Sequence, residues 1–381
     1  MDFGFTPEQE AFRESIARFA RERLAPHYQE DDRRAEFRRE LIGEFASLGL
    51  LGLRIPEEYG GQSADAVTTG IAGEEIARAD LNSGYLLLIP SLVSEIIRST
   101  GDERQRAEWL PQIAGGERLP AFFLTEPERG SDAANIGLRA ERENGGWVVT
   151  GEKTSISFGA DASSALLFAR TGGDGPRGVS AFYFDLDDRY LQRSAFSDLG
   201  GRSIGRASVA FDRHPVPADA LVGAEGEGFV RCMQGFDYSR ALIGLMCLGT
   251  AQQALDEATA YARERVAFGQ PISKQQGVAF PLVEALTQIK GARLLCYEAL
   301  WRKDQGLPHG LEGNMAKWWA PKLAVEACHT ALLVHGHTGY SDEVPAGQRM
   351  RDCIGLEIGD GTAQIAKLVA ARQLLGREFA P

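Results

Sequence analysis

Apolar residues recur at helical spacing through the first third of the chain. The tetrapeptide TPEQ at residues 6–9 has the composition of a helix N-terminus, with a threonine N-cap, a proline in the first turn and a capping-box glutamine. Phe12, Ile16 and Phe19 then follow at the spacing of one helix face. These patterns predict an N-terminal helical domain over residues 1–118.

The pattern changes in the middle of the chain. Short apolar runs rich in valine, phenylalanine and tyrosine alternate there with glycine, proline, aspartate and asparagine, which is typical of strands joined by turns. The clearest runs are residues 147–150, 165–169, 179–184 and 208–211. We predict a β-barrel or β-sandwich domain over residues 119–229, with the glycine-rich segment 171–178 as an exposed loop.

Helical periodicity returns in the last part of the chain. Four long apolar-striped segments are joined by short connections, a pattern that predicts a four-helix bundle over residues 230–381. The segments are residues 241–266, 278–303, 314–334 and 362–375. The predicted fold class is therefore α+β, in the order helices, strands, helices.

Composition and charge exclude several classes of function. The 381 residues are 44% hydrophobic and 25% charged, as in globular proteins, and the length suffices for two or three domains. A formal net charge of -12 disfavours binding to nucleic acid or to anionic membranes. We find no apolar run of membrane-spanning length and no signal-peptide pattern at the N-terminus. We therefore predict no nucleic acid and no membrane as partners.

The cysteines and histidines do not predict a metal site. The five cysteines form no C-x-x-C pair, so buried thiols in a reducing cytoplasm are the simplest interpretation. His329, His335 and His337 cluster, but no cysteine or carboxylate completes a ligand set at strong spacing. The cysteines are Cys232, Cys247, Cys296, Cys328 and Cys353.

Three segments carry candidate chemistry, although each also has a structural interpretation. Residues 124–132 (LTEPERGSD) offer hydroxyls and backbone N–H groups for a planar cofactor or a phosphate, or they form a cap and turn. Residues 263–272 offer an arginine for a pyrophosphate and a phenylalanine for a ring, or they are a glycine-capped helix end. Residues 351–365 place Asp360 between two glycines before a helix, where a capping carboxylate is also typical. The glycines of residues 223–228 have the wrong spacing for a dinucleotide site and predict a turn.

Together, in this order, these segments resemble the acyl-CoA dehydrogenase family over nearly the whole chain. Residues 124–132 are similar to its flavin-binding segment, and Arg265, Phe268 and Gly269 match its R-x-x-F-G element. Its glycine-rich turn and the Arg-Asp pair before its catalytic segment also have counterparts. They are Gly336, Gly339 and Tyr340 for the turn, and Arg351 and Asp352 for the pair.

The resemblance implies FAD as cofactor, between the β-domain and the helical bundle, in a homotetramer or homodimer. Thr125, Ser131 and Ser157 would contact the isoalloxazine edge. Arg265 and Phe268 would reach the pyrophosphate and adenosine from a neighbouring subunit. Gly336, Thr362 and Gln364 would complete the contacts to the dinucleotide.

The resemblance also implies the chemistry. A carboxylate removes the α-proton of an acyl thioester, hydrogen bonds stabilise the developing enolate, and the β-hydride passes to flavin N5. The family's usual base is a glutamate, and the matching residue here is Asp360, shorter by roughly 1.5 Å. Ser239 occupies the other position at which members carry the base, and serine is no carboxylate. We therefore predict Asp360 as the catalytic base.

Two departures from the family pattern bear on the substrate. Gly359 replaces a bulky neighbour of the base, and Asp360 is shorter than the usual glutamate. Together these two changes predict an acyl group crowded near Cα, such as a branched or alicyclic one. The pattern resembles members acting on cyclohexane-type acyl-CoAs and also dehydrogenases of polyketide pathways, whose substrates ride on acyl carrier protein. Residues 85–92 should line an apolar acyl pocket. The predicted substrate-binding residues are Tyr85, Leu88, Ser239, Arg240, Gly359 and Gly361.

Two further departures bear on the electron acceptor. Ser155 stands where many members have a tryptophan beside the flavin, and Leu332 stands where a glutamine often contacts FAD. An electron-transferring flavoprotein is the family's default acceptor, whereas oxidase branches use molecular oxygen. A flavin oxidase and a non-catalytic thioester-binding protein are therefore the alternative functions.

Overall fold

The computed structural model describes residues 4–381, and its N-terminal part consists of helices. Helix α1 spans Pro7–Phe19, and the Thr6 side chain and Gln9 form the predicted capping box. The chain then passes through a π-helical turn and a 3₁₀ turn. The remaining helices of this part are α2 (Tyr28–Arg34), α3 (Glu40–Ser47), α4 (Ala66–Ala79), α5 (Tyr85–Thr100) and α6 (Glu103–Ala114).

The middle of the chain is a single twisted sheet. The strands of the sheet lie side by side in the order β6-β7-β3-β2-β4-β5-β8, and β1 pairs parallel with β4. The four predicted apolar runs lie within β3, β4, β5 and β7. Strands β4 and β5 pair antiparallel and are buried on both faces apart from the last residue of β5, so they read as continuous apolar runs. The strands are β1 (Pro120–Phe123), β2 (Arg139–Glu143), β3 (Gly146–Ile156), β4 (Ser164–Arg170), β5 (Val179–Asp185), β6 (Leu191–Ala195), β7 (Ala207–Val216) and β8 (Leu221–Val222).

The end of β3 departs from regular pairing. Its register with β7 shifts between Lys153 and Ile156, and Ser155 in this interval has a φ of 59°. A bulge of this kind turns side chains out of the sheet's alternation. Ser155 in this interval and Ser157 just after β3 line a cavity between the sheet and the C-terminal helices.

The C-terminal part is helical, as predicted, but it contains a helix that the sequence did not predict. Helix α10 carries the glycines Gly347 and Gly355 and the buried polar residues Arg349 and Asp352, which obscure its apolar stripe. The four predicted segments are all helical, and α10 is a fifth helix of this part. The helices are α7 (Gly228–Glu264), α8 (Gln276–Asp304), α9 (Gly310–His335), α10 (Ala346–Ile358) and α11 (Ala363–Leu375).

Helix α7 begins 13 residues before the predicted start because its first turn packs on the sheet. A Cβ at Gly228 would lie 2.5 Å from the carbonyl carbon of Ser180 in β5, so only glycine permits this approach. Further along, Cys232 and Phe236 belong to the apolar core of the N-terminal helices and the sheet. From Tyr238 onward the helix belongs to the core of the bundle. One helix thus joins both cores.

The structure bears on two predictions from the sequence, one about the cysteines and one about membrane-spanning segments. All five cysteines are buried and unpaired. No helix within residues 4–381 is both long enough and apolar enough to cross a membrane.

Candidate active site

A cavity of about 480 Å³ lies where the two apolar cores meet. Its walls come from α5, the segments after β1 and β3, the loop before β7, α7 and the connection between α10 and α11. The volume lies in the range of small-molecule sites. The structure therefore offers one large site between the sheet and the C-terminal helices.

Asp360 lies at this cavity in an uncommon backbone conformation. Helix α10 ends at Ile358, and Asp360 and Gly361 then have φ values of 55° and 96°. Aspartate tolerates the left-handed region better than most residues, but such conformations concentrate at functional sites. The Thr362 hydroxyl accepts from Ile365 N at 3.3 Å and caps α11, which fixes the far end of the connection.

The Asp360 carboxyl is enclosed but not neutralised by a close partner. Its Oδ2 atom is buried and accepts no hydrogen bond from residues 4–381. Burial raises its pKa, and the nearby positive charges of Lys317 and Arg240 oppose that rise. Arg240 contacts the backbone instead, with Nε 3.4 Å from the Asp360 carbonyl oxygen. A buried carboxylate with a free oxygen is suited to accepting a proton.

The opposite wall carries the hydroxyl groups predicted for the cofactor. Thr125, Ser131 and Ser157 all line the cavity, and their hydroxyls have no hydrogen-bond partner among the described residues. The fully buried Lys153 holds the residues on both sides of Thr125. Its Nζ donates to the Leu124 carbonyl at 2.8 Å and to Glu126 Oε1 at 2.9 Å. Free hydroxyls on a rigid wall fit the polar edge of a flavin.

The acyl side of the cavity is largely apolar. Tyr85 and Leu88 line it as predicted, and Phe122, Phe236 and Ile243 extend the apolar surface from β1 and α7. Burial raises the pKa of Tyr85, and the negative charge of Asp360 raises it further, so its phenol is neutral. Gly359 and Gly361 also line the cavity and leave space beside Asp360.

A polar group that the sequence did not indicate occupies the edge of the cavity near Ser155. Arg206 donates to Ser155 Oγ at 3.1 Å and forms an ion pair with Asp198, its Nε lying 2.7 Å from Oδ2. Its guanidinium also lies 4.7 Å from the centre of the Phe196 ring. The space left by the missing tryptophan is thus bordered by a paired cation.

Asp352 joins three parts of the fold at the cavity wall. It accepts hydrogen bonds from Tyr28 Oη of α2 and from Gly201 N of the sheet domain, both at 2.7 Å. Burial raises the pKa of Asp352 to about 7, although these two hydrogen bonds oppose the rise. The neighbouring Arg351 binds Asp32 at 2.7 Å and the Leu199 carbonyl at 2.6 Å. The predicted Arg-Asp pair therefore anchors α10.

Several predicted residues do not reach the cavity. Arg265 and Phe268 follow α7 in an exposed turn, and Phe268 is 96% exposed. Gly336 caps the end of α9, and Gln364 is exposed on α11. Ser239 is buried within α7 but is absent from the cavity wall, so the structure gives no support for a contact with substrate.

The chain matches three family descriptions that follow one another. It matches the acyl-CoA dehydrogenase N-terminal domain over residues 6–117, the middle domain over 121–214 and the C-terminal domain over 226–375. The chain belongs to the acyl-CoA dehydrogenase family. This confirms the resemblance, the fold class and the assignment to the oxidoreductases.

Similar acyl-CoA dehydrogenases and solved structures cover nearly the whole chain. A probable acyl-CoA dehydrogenase of Bacillus subtilis strain 168, YngJ, is 36% identical over 380 residues, which are 98% of this chain and 100% of that protein. The structure of butyryl-CoA dehydrogenase from Megasphaera elsdenii has a TM-score of 0.95 at 32% identity, covering 98% of this chain and 100% of that one. The prolyl acyl carrier protein oxidase AnaB has a TM-score of 0.92 at 26% identity, covering 98% and 100% respectively.

Proposed function

We propose that this protein is an FAD-dependent acyl-CoA dehydrogenase that uses Asp360 as its base and acts on acyl groups branched or alicyclic next to the thioester carbonyl. The observation that carries the proposal is the buried Asp360 Oδ2 atom, unpartnered among residues 4–381, at the wall of a cavity lined mainly by apolar side chains. Burial makes the Asp360 carboxylate more basic, whereas the positive charges of Lys317 and Arg240 stabilise its ionised form, which is the form that accepts a proton.

The residues of the chain fit FAD. Thr125, Ser131 and Ser157 would hold the isoalloxazine edge with hydroxyls that have no partner within residues 4–381, and Thr362 would contact the dinucleotide from α11. When bound, FAD would supply the acceptor for the β-hydride. Arg265, Phe268, Gly336 and Gln364 lie outside the cavity and are exposed, which is compatible with contacts to the cofactor of a neighbouring subunit in a homotetramer or homodimer.

The backbone of the Asp360 connection supplies a group for the thioester. The Asp360 N–H has no acceptor among residues 4–381, in contrast to Gly359 N, which donates to the Gly355 carbonyl at 2.9 Å. A free backbone N–H beside the base would donate to the thioester carbonyl as negative charge develops on its oxygen. The same residue would then orient the carbonyl and remove the α-proton. Tyr85 and Leu88 would exclude water from the acyl group on the facing wall.

An electron-transferring flavoprotein is the acceptor that the family membership favours. A cytoplasmic location rests on the five unpaired thiols. Acyl carrier protein as substrate carrier and oxygen as acceptor are the competing proposals, and the similarity to a carrier-protein oxidase makes both worth testing.

The first experiment is an anaerobic titration. The purified protein is expected to carry a flavin, and the visible flavin band is followed while linear, branched and cyclohexane-type acyl-CoAs are added. We expect branched or alicyclic acyl-CoAs to bleach the band at lower concentration and faster than linear ones. A protein without flavin would contradict the proposal at its foundation. If only carrier-protein thioesters bleach the bound flavin, acyl carrier protein is favoured as the substrate carrier. If oxygen, when it is admitted, reoxidises the reduced flavin at the turnover rate, oxygen is favoured as the electron acceptor.

The space beside the base gives a second prediction. Gly359 has φ -60° and ψ 152°, which any residue adopts, and a Cβ there would meet only the Gly355 carbonyl, at 3.5 Å. A Gly359→Phe variant should therefore fold and fill this space. We expect kcat/KM for branched or alicyclic acyl-CoAs to fall about tenfold or more, because the ring removes room near Cα.

Butyryl-CoA serves as the internal control for this variant. A linear chain does not need the space at Gly359, so its kcat/KM should change by less than about threefold. An equal loss for both classes would show that position 359 does not set acyl shape, even if the dehydrogenase activity itself stands.

A further inference from the structure

Lys317 of α9 is a fully buried lysine next to the Asp360 connection. Lys317 is 0% exposed, and no carboxylate oxygen of residues 4–381 lies within the 4.0 Å of an ion pair from its Nζ. An enclosed ammonium without a paired anion is costly to desolvate. A protein that carries this cost is expected to have a structural or functional use for the buried charge.

The Lys317 ammonium donates to two backbone carbonyls that flank Asp360. One is the carbonyl of Leu356, at 2.8 Å, and the other is that of Gly361, at 2.9 Å. Leu356 lies in the last turn of α10, where carbonyls have no partner within the helix. Lys317 therefore caps α10 and at the same time holds the residue that follows Asp360.

These two contacts restrain a connection that the local sequence does not stabilise by itself. Asp360 and Gly361 both have positive φ, and the Asp360 N–H makes no backbone hydrogen bond within residues 4–381. A conformation of this kind persists only where surrounding structure determines it. The ammonium group is the contact that spans the connection from one side of Asp360 to the other.

The charges around Lys317 are limited in number. Asp360 and Glu357 approach it from α10 and the connection, and Arg240 and Cys247 approach it from α7. Around Asp360 the other groups are Tyr85 of α5 and Cys232 of α7. Burial lowers the pKa of Lys317 to about 8, so its charge is present through the acidic and neutral range.

We propose that Lys317 is a positioning residue of the active site, which fixes the Asp360 connection through two carbonyls and places a positive charge beside the base and the developing enolate. The proposal rests on the proposed function of Asp360. Arg240 cannot replace this contribution fully, because its guanidinium also lies 3.6 Å from Asp237.

The test uses the holoenzyme with Lys317→Gln, which keeps an amide donor and removes the charge. The rate of anaerobic flavin reduction by the best acyl-CoA is measured against pH. We expect the acid limb of this profile to move up by about one pH unit, because the carboxylate loses a neighbouring cation. At a pH below the acid limb, flavin reduction in Lys317→Gln should therefore be about tenfold slower than in the wild type. At the alkaline plateau the difference between the two proteins should be much smaller. Lys317→Met, which loses the hydrogen bonds as well, should also lower the plateau.

A second readout does not depend on turnover. Acetoacetyl-CoA is an acidic thioester whose enolate absorbs in the near ultraviolet, and its enolate fraction when bound to the protein is titrated with pH. Removal of a nearby positive charge should shift this titration to higher pH in Lys317→Gln. Lys322→Gln is the matched control, because Lys322 lies on the same helix in an exposed ion pair with Glu326. It should leave both profiles unchanged.

The outcomes separate the two proposals. A wild-type flavin that no acyl-CoA reduces would overturn the proposed function. A wild-type flavin that is reduced, together with a Lys317→Gln protein whose two pH profiles superimpose on those of the wild type, would overturn the role of Lys317 alone. If Lys317→Gln does not fold, Lys317→Arg decides. Since it keeps the charge, it should keep the wild-type acid limb, and a limb shifted like that of a neutral variant would refute the proposal.

Discussion

An Asp360→Asn enzyme is expected to bind flavin and acyl-CoA normally and to lose reduction of the flavin by acyl-CoA. Asparagine preserves the size and the left-handed backbone of Asp360, so the connection between α10 and α11 should remain intact. Its amide cannot accept the α-proton. We expect the rate of anaerobic flavin reduction to fall by about a thousandfold or more, the scale of a lost general base.

Two controls accompany this variant. Glu357→Gln removes a carboxylate three residues earlier that does not line the cavity, and its rate should stay close to that of the wild type. Binding of a non-reducible thioester analogue to Asp360→Asn should remain within a few-fold of wild type. Near-normal reduction by Asp360→Asn would exclude Asp360 as the base and direct attention to another acceptor of the proton.

Loss of the Glu95 charge is expected to destabilise the fold strongly. Glu95 is 6% exposed and lies 2.8 Å from Lys303, 3.0 Å from Arg98 and 3.6 Å from Arg54. Burial alone would raise its pKa, but Lys303, Arg98 and Arg54 together lower it from 4.5 to about 2. A lowering of this size corresponds to about 3 kcal/mol of folding free energy at neutral pH, and Glu95→Gln should lose about that amount.

The pH dependence of this effect has a defined sign. Because the folded pKa lies below the unfolded one, the stabilisation is present above about pH 4.5 and disappears as the pH falls towards 2. Denaturant unfolding at several pH values should show a gap between wild type and Glu95→Gln that is constant at neutral pH and narrows on acidification. Glu108→Gln, which breaks an exposed pair with Arg104, should cost less than about 1 kcal/mol. A Glu95→Gln protein as stable as Glu108→Gln would contradict the assignment.

The elements that the sequence predicted correctly are those determined by local chemistry. The capping box at Thr6 depends on residues three apart, and the alternation of apolar runs with turns identifies β3, β4, β5 and β7. The errors lie where distant contacts decide. Helix α7 begins early because Gly228 meets β5, and the buried Arg349 of α10 hides its apolar face by pairing with Glu257 at 2.8 Å.

The candidate site follows the same division. Asp360, Thr125 and Ser157 were predicted from the resemblance of the chain to the family, and the fold brings all three to one cavity. Lys317 and Arg206 were not predicted, because nothing adjacent to them in the chain indicates chemistry. Lys317 acquires its importance only from carbonyls 39 and 44 residues away, and Arg206 from a serine 51 residues before it.

Helix α7 contributes to both apolar cores, and this has a consequence for synthesis on the ribosome. The sheet is complete in the nascent chain at Val222, yet the surface that Cys232 and Phe236 cover stays open until the first turns of α7 leave the exit tunnel. The apolar side of the remainder of α7 stays exposed until α8 and α9 have been synthesised and pack against it. A nascent chain of this protein therefore exposes aggregation-prone surface late in translation, when most of its length has already emerged.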